Sequence, residues 1–246
     1  SPLHMVKKND SSWKPCGDYR RLNAITTPDR YVIPNIQSVH HMLAGSSIYS
    51  KLDIIKAYHF LPMDERDIHK TAICTPFGTY EYIRMLFDLK NFASLFQRFV
   101  DGLFRSLPFV VTYIDDLLIF SANQVEHKKH LLQVFEKLDS VGLRINKSKS
   151  LLFQESVSYL GFSFSKDGIL PLPDRVESLK NLPPPTDKKA LVRYLGMFGF
   201  YQWSILRYVE IVIPLRKLIA MSSFSWENHH ETAFEKLKQQ LCEAVE

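Results

Sequence analysis

The chain has 246 residues, 46% hydrophobic and 13% aromatic, enough for a sizeable core and for one large domain or two or three subdomains. Its formal charge of +5, from 31 Lys and Arg against 26 Asp and Glu, suits an anionic partner such as nucleic acid. Cys16, Cys74 and Cys242 are too dispersed for a zinc site or a disulfide framework, which fits a reducing compartment, and no stretch reads as a signal peptide or a membrane span. In chain order, KKNDSSWK (Lys7 to Lys14) reads as the tip of a strand-turn-strand unit, and Asn35 to Leu43 as a helix after a loop. Ile48 to Ile55 is β-branched and strand-like, and the turn Thr75-Pro76-Phe77-Gly78 marks a hairpin within Thr71 to Tyr82. Phe92 to Ser106 carries apolar residues at helical spacing. Glu126 to Val141 is a second amphipathic helix, stopped by Gly142. Leu151 to Phe164 is strand-rich, Pro183-Pro184-Pro185 is linker-like, and Lys188 to Leu218 and Glu231 to Ala244 are helical. A mixed α/β body to about Lys166 and a helical remainder follow. The abrupt start and the stop inside a charged helical pattern read as cuts in a longer polypeptide.

The most apolar run, FVVTYIDDLLIF (Phe109 to Phe120), has two adjacent acids at its centre. Unpaired carboxylates in apolar surroundings are costly. A hairpin with Asp115 and Asp116 at its tip and buried flanking strands resolves the cost. A further carboxylate, Asp53, ends the strand Ile48 to Ile55. Three carboxylates brought together repel unless a cation lies among them, and Mg²⁺ is the natural ion for an all-oxygen site that leaves room for substrate phosphates. Two such ions activate an attacking hydroxyl and stabilise a leaving oxygen in phosphoryl transfer, with the carboxylates expected within about 4–6 Å of each other.

Tyr113-Ile114-Asp115-Asp116 resembles the Tyr-x-Asp-Asp box of reverse transcriptases. Other segments follow in the order of that family. KKNDSSWKPCGDYRRLN (Lys7 to Asn23) is similar to its fingers motif, and SKLDIIKAYH (Ser50 to His59) to its first palm carboxylate motif. MLFDLKNFASLFQRFVD (Met85 to Asp101) resembles the palm helix and its approach, GLRINKSKS (Gly142 to Ser150) the lysine-bearing motif, and Ser158 to Leu179 the primer grip and the start of the thumb. DRYVIPNI, TPFGTYEY and Tyr194-Leu195-Gly196-Met197 are similar to the Ty3/gypsy branch of long-terminal-repeat retrotransposons.

The resemblance implies an α+β right-hand polymerase of fingers, palm and thumb, with an antiparallel palm sheet backed by helices. By position, 1–27 and 61–91 would be fingers, 28–60 and 92–166 palm, 167–223 thumb, and 224–246 the lead-in to a ribonuclease H or connection region. It implies RNA- and DNA-templated DNA synthesis from deoxynucleoside triphosphates onto a primer, with no membrane role, in a cytoplasmic virus-like particle or the nucleus. Two Mg²⁺ ions, with Mn²⁺ as a substitute, would be held by Asp53, Asp115 and the backbone carbonyl of Ile54, with Asp116 a weaker member. Lys149 would stand behind the leaving pyrophosphate as a proton donor. Lys7 and Lys14 would hold the triphosphate, beside Tyr58, Phe87 and Asp88. Asp18, Arg20, Asn23, Gln97, Tyr113, Tyr159, Leu160 and Gly161 would meet template or primer. Gripping duplex through phosphates makes binding sequence-independent and salt-sensitive.

Several positions depart from the family pattern. Asp88 stands where glycine is usual, Leu86 and Ala93 where prolines are, Phe92 where a small residue is, Leu95 where Thr is common and Phe60 where Gln is. Lys14 replaces a frequent arginine, and Gln202 to Leu206 a basic, proline-containing stretch. A unit charge at ~8 Å from a phosphate, at an effective dielectric of ~20, contributes about 2 kcal/mol of repulsion, or roughly 30-fold in affinity. An alternative reading is therefore a decayed copy that binds template-primer without extending it, or a domesticated non-catalytic protein. His127-Lys128-Lys129-His130 reads as a solvated stripe, and Phe96, Phe99, Phe135 and Phe153 as core.

Overall fold

The computed structural model describes residues 1–7, 11, 13–34, 39, 42–43 and 45–245, without the side chains of Lys14 and Tyr58. Most of the helix expected at Asn35 to Leu43, and the tip residue Lys8, lie outside the described residues. The chain divides into two compact units, Ser1–Glu155 and Ser156–Glu246.

Unit 1 is built on a four-stranded antiparallel sheet in the order β6–β7–β3–β8, formed by Val110–Tyr113 (β6), Asp116–Ser121 (β7), Ile48–Asp53 (β3) and Leu151–Gln154 (β8). Side chains alternate along a strand, so β3 presents Ile48, Ser50 and Leu52 to one face and Tyr49, Lys51 and Asp53 to the other. The first face is covered by two helices, Phe92–Phe104 and Gln124–Val141, here α2 and α3. Leu52, Leu117, Ile119, Phe96, Val100 and Val134 are fully enclosed between sheet and helices. Burial of each such side chain is worth about 1.5–3 kcal/mol. The second face carries the acids.

Helix α3 begins where the Asn123 side chain accepts the Glu126 N–H at 3.0 Å and ends at Gly142, whose φ of +77° closes the left-handed cap. His127 on this helix is completely buried. The expected solvated stripe is corrected there: the residue faces Ser50 and Ser121 of the sheet, not water. Phe153 is 38% exposed on β8 rather than in the core, whereas Phe96 is buried.

Among the described residues the rest of unit 1 includes two hairpins, a short helix and the 3-10 turns Ala57–His59 and Ile68–Thr71. Leu3–Lys7 (β1) pairs with Trp13–Gly17 (β2), and Ile73–Thr75 (β4) with Gly78–Tyr80 (β5) around the expected turn. Helix α1, Arg20–Ile25, was not expected from periodicity because it buries no residue fully. Tyr19 packs with Ile73 and Leu86, and its hydroxyl donates to the Thr71 carbonyl at 2.8 Å. Leu86, Phe92 and Phe60, three of the departures from the family pattern, all serve as packing: Leu86 and Phe92 are buried, and the Phe60 ring lies 5.1 Å from that of Phe99.

Unit 2 joins a three-stranded meander, Ser156–Tyr159 (β9), Phe162–Ser165 (β10) and Gly168–Pro171 (β11), to four helices. These are Pro173–Lys180 (α4), Lys188–Phe200 (α5), Tyr208–Ala220 (α6) and Asn228–Glu243 (α7). The expected boundaries shift in two ways. The strands β9 and β10, expected to belong with the α/β body, cluster with the helices. The segment 224–246, expected to lead out of the domain, is integral to unit 2: Phe234 of α7 is fully buried against Tyr194, Phe198 and Trp226. The triproline stretch joins two helices of one unit and is no domain linker.

Candidate active site

Strand register assembles the acids. Residues opposite each other in a sheet share a face. Asp53 of β3 is opposite Asp116 of β7, and Tyr113 of β6 is opposite Asp116 from the other side, so the three side chains occupy the face opposite the one packed against α2 and α3. The two-residue turn is Ile114-Asp115, not Asp115-Asp116 as expected, because Asp116 pairs as the first residue of β7. The turn bends through Ile114 at φ +52°, a conformation unfavourable for a β-branched residue. Its backbone is held from two sides: the Ile114 N–H donates to Gln97 Oε1 at 2.7 Å, and the Asp115 carbonyl accepts the Ile54 N–H at 2.9 Å. The N–H of Ile54 is thus what meets the turn.

Burial raises the Asp115 carboxyl above the usual carboxylate range, and the charges of Asp116 and Asp53 push it the same way, while Lys149 pulls it down. Lys149 is exposed on the loop before β8. That loop is anchored on Asp53, whose carbonyl accepts the Asn146 N–H at 2.8 Å and whose N–H donates to Ser150 Oγ at 3.2 Å. Lys51, two residues before Asp53 and so on the same face, extends Nζ to within 3.3 Å of Asp116 Oδ2. Lys51 was missed by the sequence reading, although the period of two in β3 contained the signal.

The all-carboxylate donor set matches a hard divalent cation, and Asp115, raised by burial and like charge, is the group that a cation would relieve. Among the described residues no three acidic, His or Cys side chains form a metal-holding group. Lys51 occupies the position beside Asp116 instead. Asp53 and Asp115 remain the pair whose chemistry fits.

The other expected site residues are distributed as follows. Lys7 is exposed at the end of β1, opposite Trp13. The side chains of Lys14 and Tyr58 lie outside the described residues. Phe87, 55% exposed, and the half-buried Asp88 line a small cavity of about 70 Å³ with His59 and Tyr19. Asp88 also borders an open cavity of about 430 Å³ with His4, Asp18, Arg20 and Asn23. Asn23 spends its amide internally, donating to the Asp88 carbonyl at 2.8 Å and accepting the Lys90 N–H at 2.9 Å. The Arg20 guanidinium is forked onto Asp18, with Nε–Oδ1 at 2.9 Å and Nη2–Oδ2 at 2.6 Å, and holds that carboxyl well below the usual range. Gln97 is fully buried, so direct contact with template or primer is corrected to a role inside the fold. In unit 2 the Tyr159 ring is likewise buried, and only the turn Leu160-Gly161 is partly open, with φ of +49° and +86°. Two consecutive positive φ values define a tight hairpin between β9 and β10.

Asp53 and Asp116, paired on adjacent antiparallel strands beside the Ile114-Asp115 turn, lie on a sheet backed by two helices, the arrangement expected of a polymerase palm. A family model for reverse transcriptase (RNA-dependent DNA polymerase) matches residues 6–164. The chain is 36% identical over 97% of its length to the retrovirus-related Pol polyprotein from transposon 297 of Drosophila melanogaster, covering 23% of that polyprotein. It is 33% identical to the corresponding polyprotein from transposon gypsy of the same organism, over 86% of this chain and 21% of the polyprotein. It is 30% identical to the transposon Tf2-3 polyprotein of Schizosaccharomyces pombe, over 98% of this chain and 18% of that one. The foamy viral protease-reverse transcriptase, solved in complex with dsDNA, superposes with a TM-score of 0.82 at 26% identity, over 98% of this chain and 51% of that one. The chain belongs to the reverse transcriptase family, and the relatives it resembles are Ty3/gypsy-type transposon polyproteins. It spans about a fifth of their length. Among the described residues no helix is long and apolar enough to cross a membrane.

Proposed function

We propose that this domain transfers deoxynucleotides from their triphosphates to the 3′-hydroxyl of a primer on an RNA or DNA template. The observation that carries the reading is the register that sets Asp53 opposite Asp116 beside the Ile114-Asp115 turn. Two Mg²⁺ ions, or Mn²⁺ in their place, would supply activation of the hydroxyl and stabilisation of the leaving oxygen. Asp53 and Asp115 would hold them, and Lys51 would limit the charge that Asp116 adds. The 3′-hydroxyl loses its proton to solvent as its oxygen bonds to the α-phosphorus, the bond from the α-phosphorus to the bridging oxygen of the β-phosphate breaks, and pyrophosphate departs. Lys149, exposed and close enough for its charge to lower the Asp115 pKa, is the proton donor to pyrophosphate. Lys7 and Lys14 would meet the triphosphate.

A second reading, template-primer binding with little turnover, is favoured by Asp88. Its carboxyl is half-buried beside the cavity shared with Phe87 and His59, and among the described residues no Lys or Arg forms an ion pair with it. Primer extension with Mg²⁺ on RNA and DNA templates separates the readings. The first expects nucleotide-dependent extension that Asp53→Asn abolishes. Salt-sensitive duplex binding without extension in Mg²⁺ or Mn²⁺, with extension regained in Asp88→Gly, establishes the second. Extension that survives Asp53→Asn refutes the site.

A further inference from the structure

Behind the turn lies a buried polar cluster that the nucleotidyl-transfer reading does not use. Gln97 of α2 is completely enclosed, yet each of its amide atoms is satisfied. Its Nε2 donates to Asp101 Oδ1 at 2.7 Å and to the Thr112 carbonyl at 3.1 Å, with Thr112 Oγ1 at 2.9 Å. Its Oε1 accepts the Ile114 N–H at 2.7 Å. Thr112 Oγ1 donates to Asp101 Oδ1 at 2.5 Å, and the Tyr31 hydroxyl donates to Asp101 Oδ2 at 2.7 Å.

The partners leave the amide only one orientation. Asp101 and the Thr112 carbonyl can only accept, and the Ile114 N–H can only donate. A flipped amide would meet like with like at Asp101, at the Thr112 carbonyl and at the Ile114 N–H. Ile114 is the residue in left-handed backbone, and Asp115 follows it directly. Such strain persists only where the surroundings over-determine it. Here the hydrogen bond from Gln97 on α2 is one of the two that hold the turn, beside that from Ile54 to the Asp115 carbonyl, so a change at Gln97 reaches Asp115 through the backbone.

We propose that Gln97 is the positioning residue of the catalytic turn: oriented by Asp101 and Thr112, it fixes Ile114 in left-handed backbone and thereby aims the Asp115 carboxylate. It touches neither substrate nor the reacting atoms. Asp101 is coupled onward to Tyr31, whose ring carries the Arg98 guanidinium 4.9 Å above it, and Arg98 pairs with Asp29 at 2.7 Å. The segment Asp29 to Tyr31 is thereby tied to the back of the turn.

The proposal rests on the nucleotidyl-transfer reading for its consequence but not for its structural core, and the experiment separates them. Amide hydrogen exchange reads the clamp without any catalysis. In Gln97→Met, of similar volume and without polar hydrogen-bonding groups, exchange at Ile114 is expected to accelerate at least roughly tenfold while the β3 amides keep their protection. In single-turnover incorporation, kcat is expected to fall roughly 10²-fold, with template-primer Kd and nucleotide KM within about threefold. Should Gln97→Met not fold, polarity exchange carries the same test. Gln97→Glu places an oxygen against Asp101 and loses Ile114 protection, and Gln97→Glu with Asp101→Asn restores a donor-acceptor pair and recovers it. Unchanged Ile114 exchange in a folded variant overturns the proposal. So does a weakened template-primer Kd with kcat intact, which would make Gln97 a nucleic-acid contact. If the parent domain and Asp88→Gly both fail to extend a primer, the polymerase reading fails and the exchange result alone decides the clamp.

Discussion

His127 joins the two central strands of the acid-bearing sheet. Its Nε2 lies 2.7 Å from Ser50 Oγ on β3 and its Nδ1 lies 2.7 Å from Ser121 Oγ on β7. Ser50 Oγ also accepts the Phe153 N–H at 3.1 Å, so its own proton is free to point at Nε2. Nδ1–H then donates to Ser121, whose proton goes on to His130 Nδ1 at 2.8 Å. One proton arrangement satisfies every atom of the neutral ring. A second ring proton would face the Ser50 proton, and His130 opposes the added charge. Among the described residues His130 is the one titratable neighbour that shifts His127, and Glu126 is 3.9 Å from the far side of the His130 ring.

Burial accordingly depresses His127 from 6.5 to about 4. A histidine depressed by folding stabilises the native state fully above its unfolded pKa. That stability drains as pH falls through the unfolded value toward the folded one, because the unfolded chain takes up the proton first. Between pH 7 and pH 4 the loss is about 3 kcal/mol, equivalent to a melting-temperature drop of roughly 6–12 °C for a unit of this size. His127→Gln, which does not titrate, removes this contribution. The difference between wild type and variant cancels the acids common to both. Exchange of the β3 and β7 amides reads unit 1 separately from unit 2. Wild-type stability relative to the variant should fall progressively below pH 6.5 and level off near pH 4. Parallel profiles for the two proteins would refute a buried neutral ring.

Three other outcomes are expected. Asp88→Gly removes a negative charge from the cavity wall and should tighten nucleotide binding roughly 30-fold, read as the nucleotide KM in primer extension. Asp115→Asn removes an acid whose ionisation is disfavoured by burial and by Asp116 and Asp53. Its folded pKa is raised, so its ionisation costs stability as pH rises through that value, and the variant should melt higher than wild type at pH 7 without metal. Added Mg²⁺ should narrow that gap by stabilising wild type alone, as thermal melts with and without the ion would show. Gly161→Ala forces a Cβ into left-handed backbone at 3.3 Å from the Tyr201 hydroxyl. It should cost unit 2 about 1–2 kcal/mol, seen as a lower melting temperature of that unit with unit 1 unchanged.

Much of the fold was readable along the chain because its signals are local. The hairpin at Pro76-Phe77, the helices Phe92–Phe104 and Gln124–Val141, and the Gly142 stop rest on periodicity and turn chemistry within a few residues. The identity of the acids was equally local: a carboxylate at the end of an apolar strand and a pair within an apolar run announce themselves. The family resemblance rested on the same short motifs. Placing the turn one residue late was the limit of this reasoning, since the pairing of Asp116 with both Tyr113 and Asp53 depends on two neighbouring strands at once.

The tertiary structure decided what each polar side chain does. Ser50 and His127 meet across 77 residues, and Tyr31 and Asp101 across 70. No window of sequence contains both members of either pair. Polarity alone made His127 look solvated, and the family resemblance placed Gln97 against template or primer. Both are buried because distant partners satisfy their hydrogen bonds, which removes the cost of taking them out of water. Composition and motif therefore determined that this chain is a reverse transcriptase domain with its acids in place. Long-range pairing decided which strand face displays Asp53, that Lys51 shares it, and that a buried amide holds the turn from which Asp115 projects.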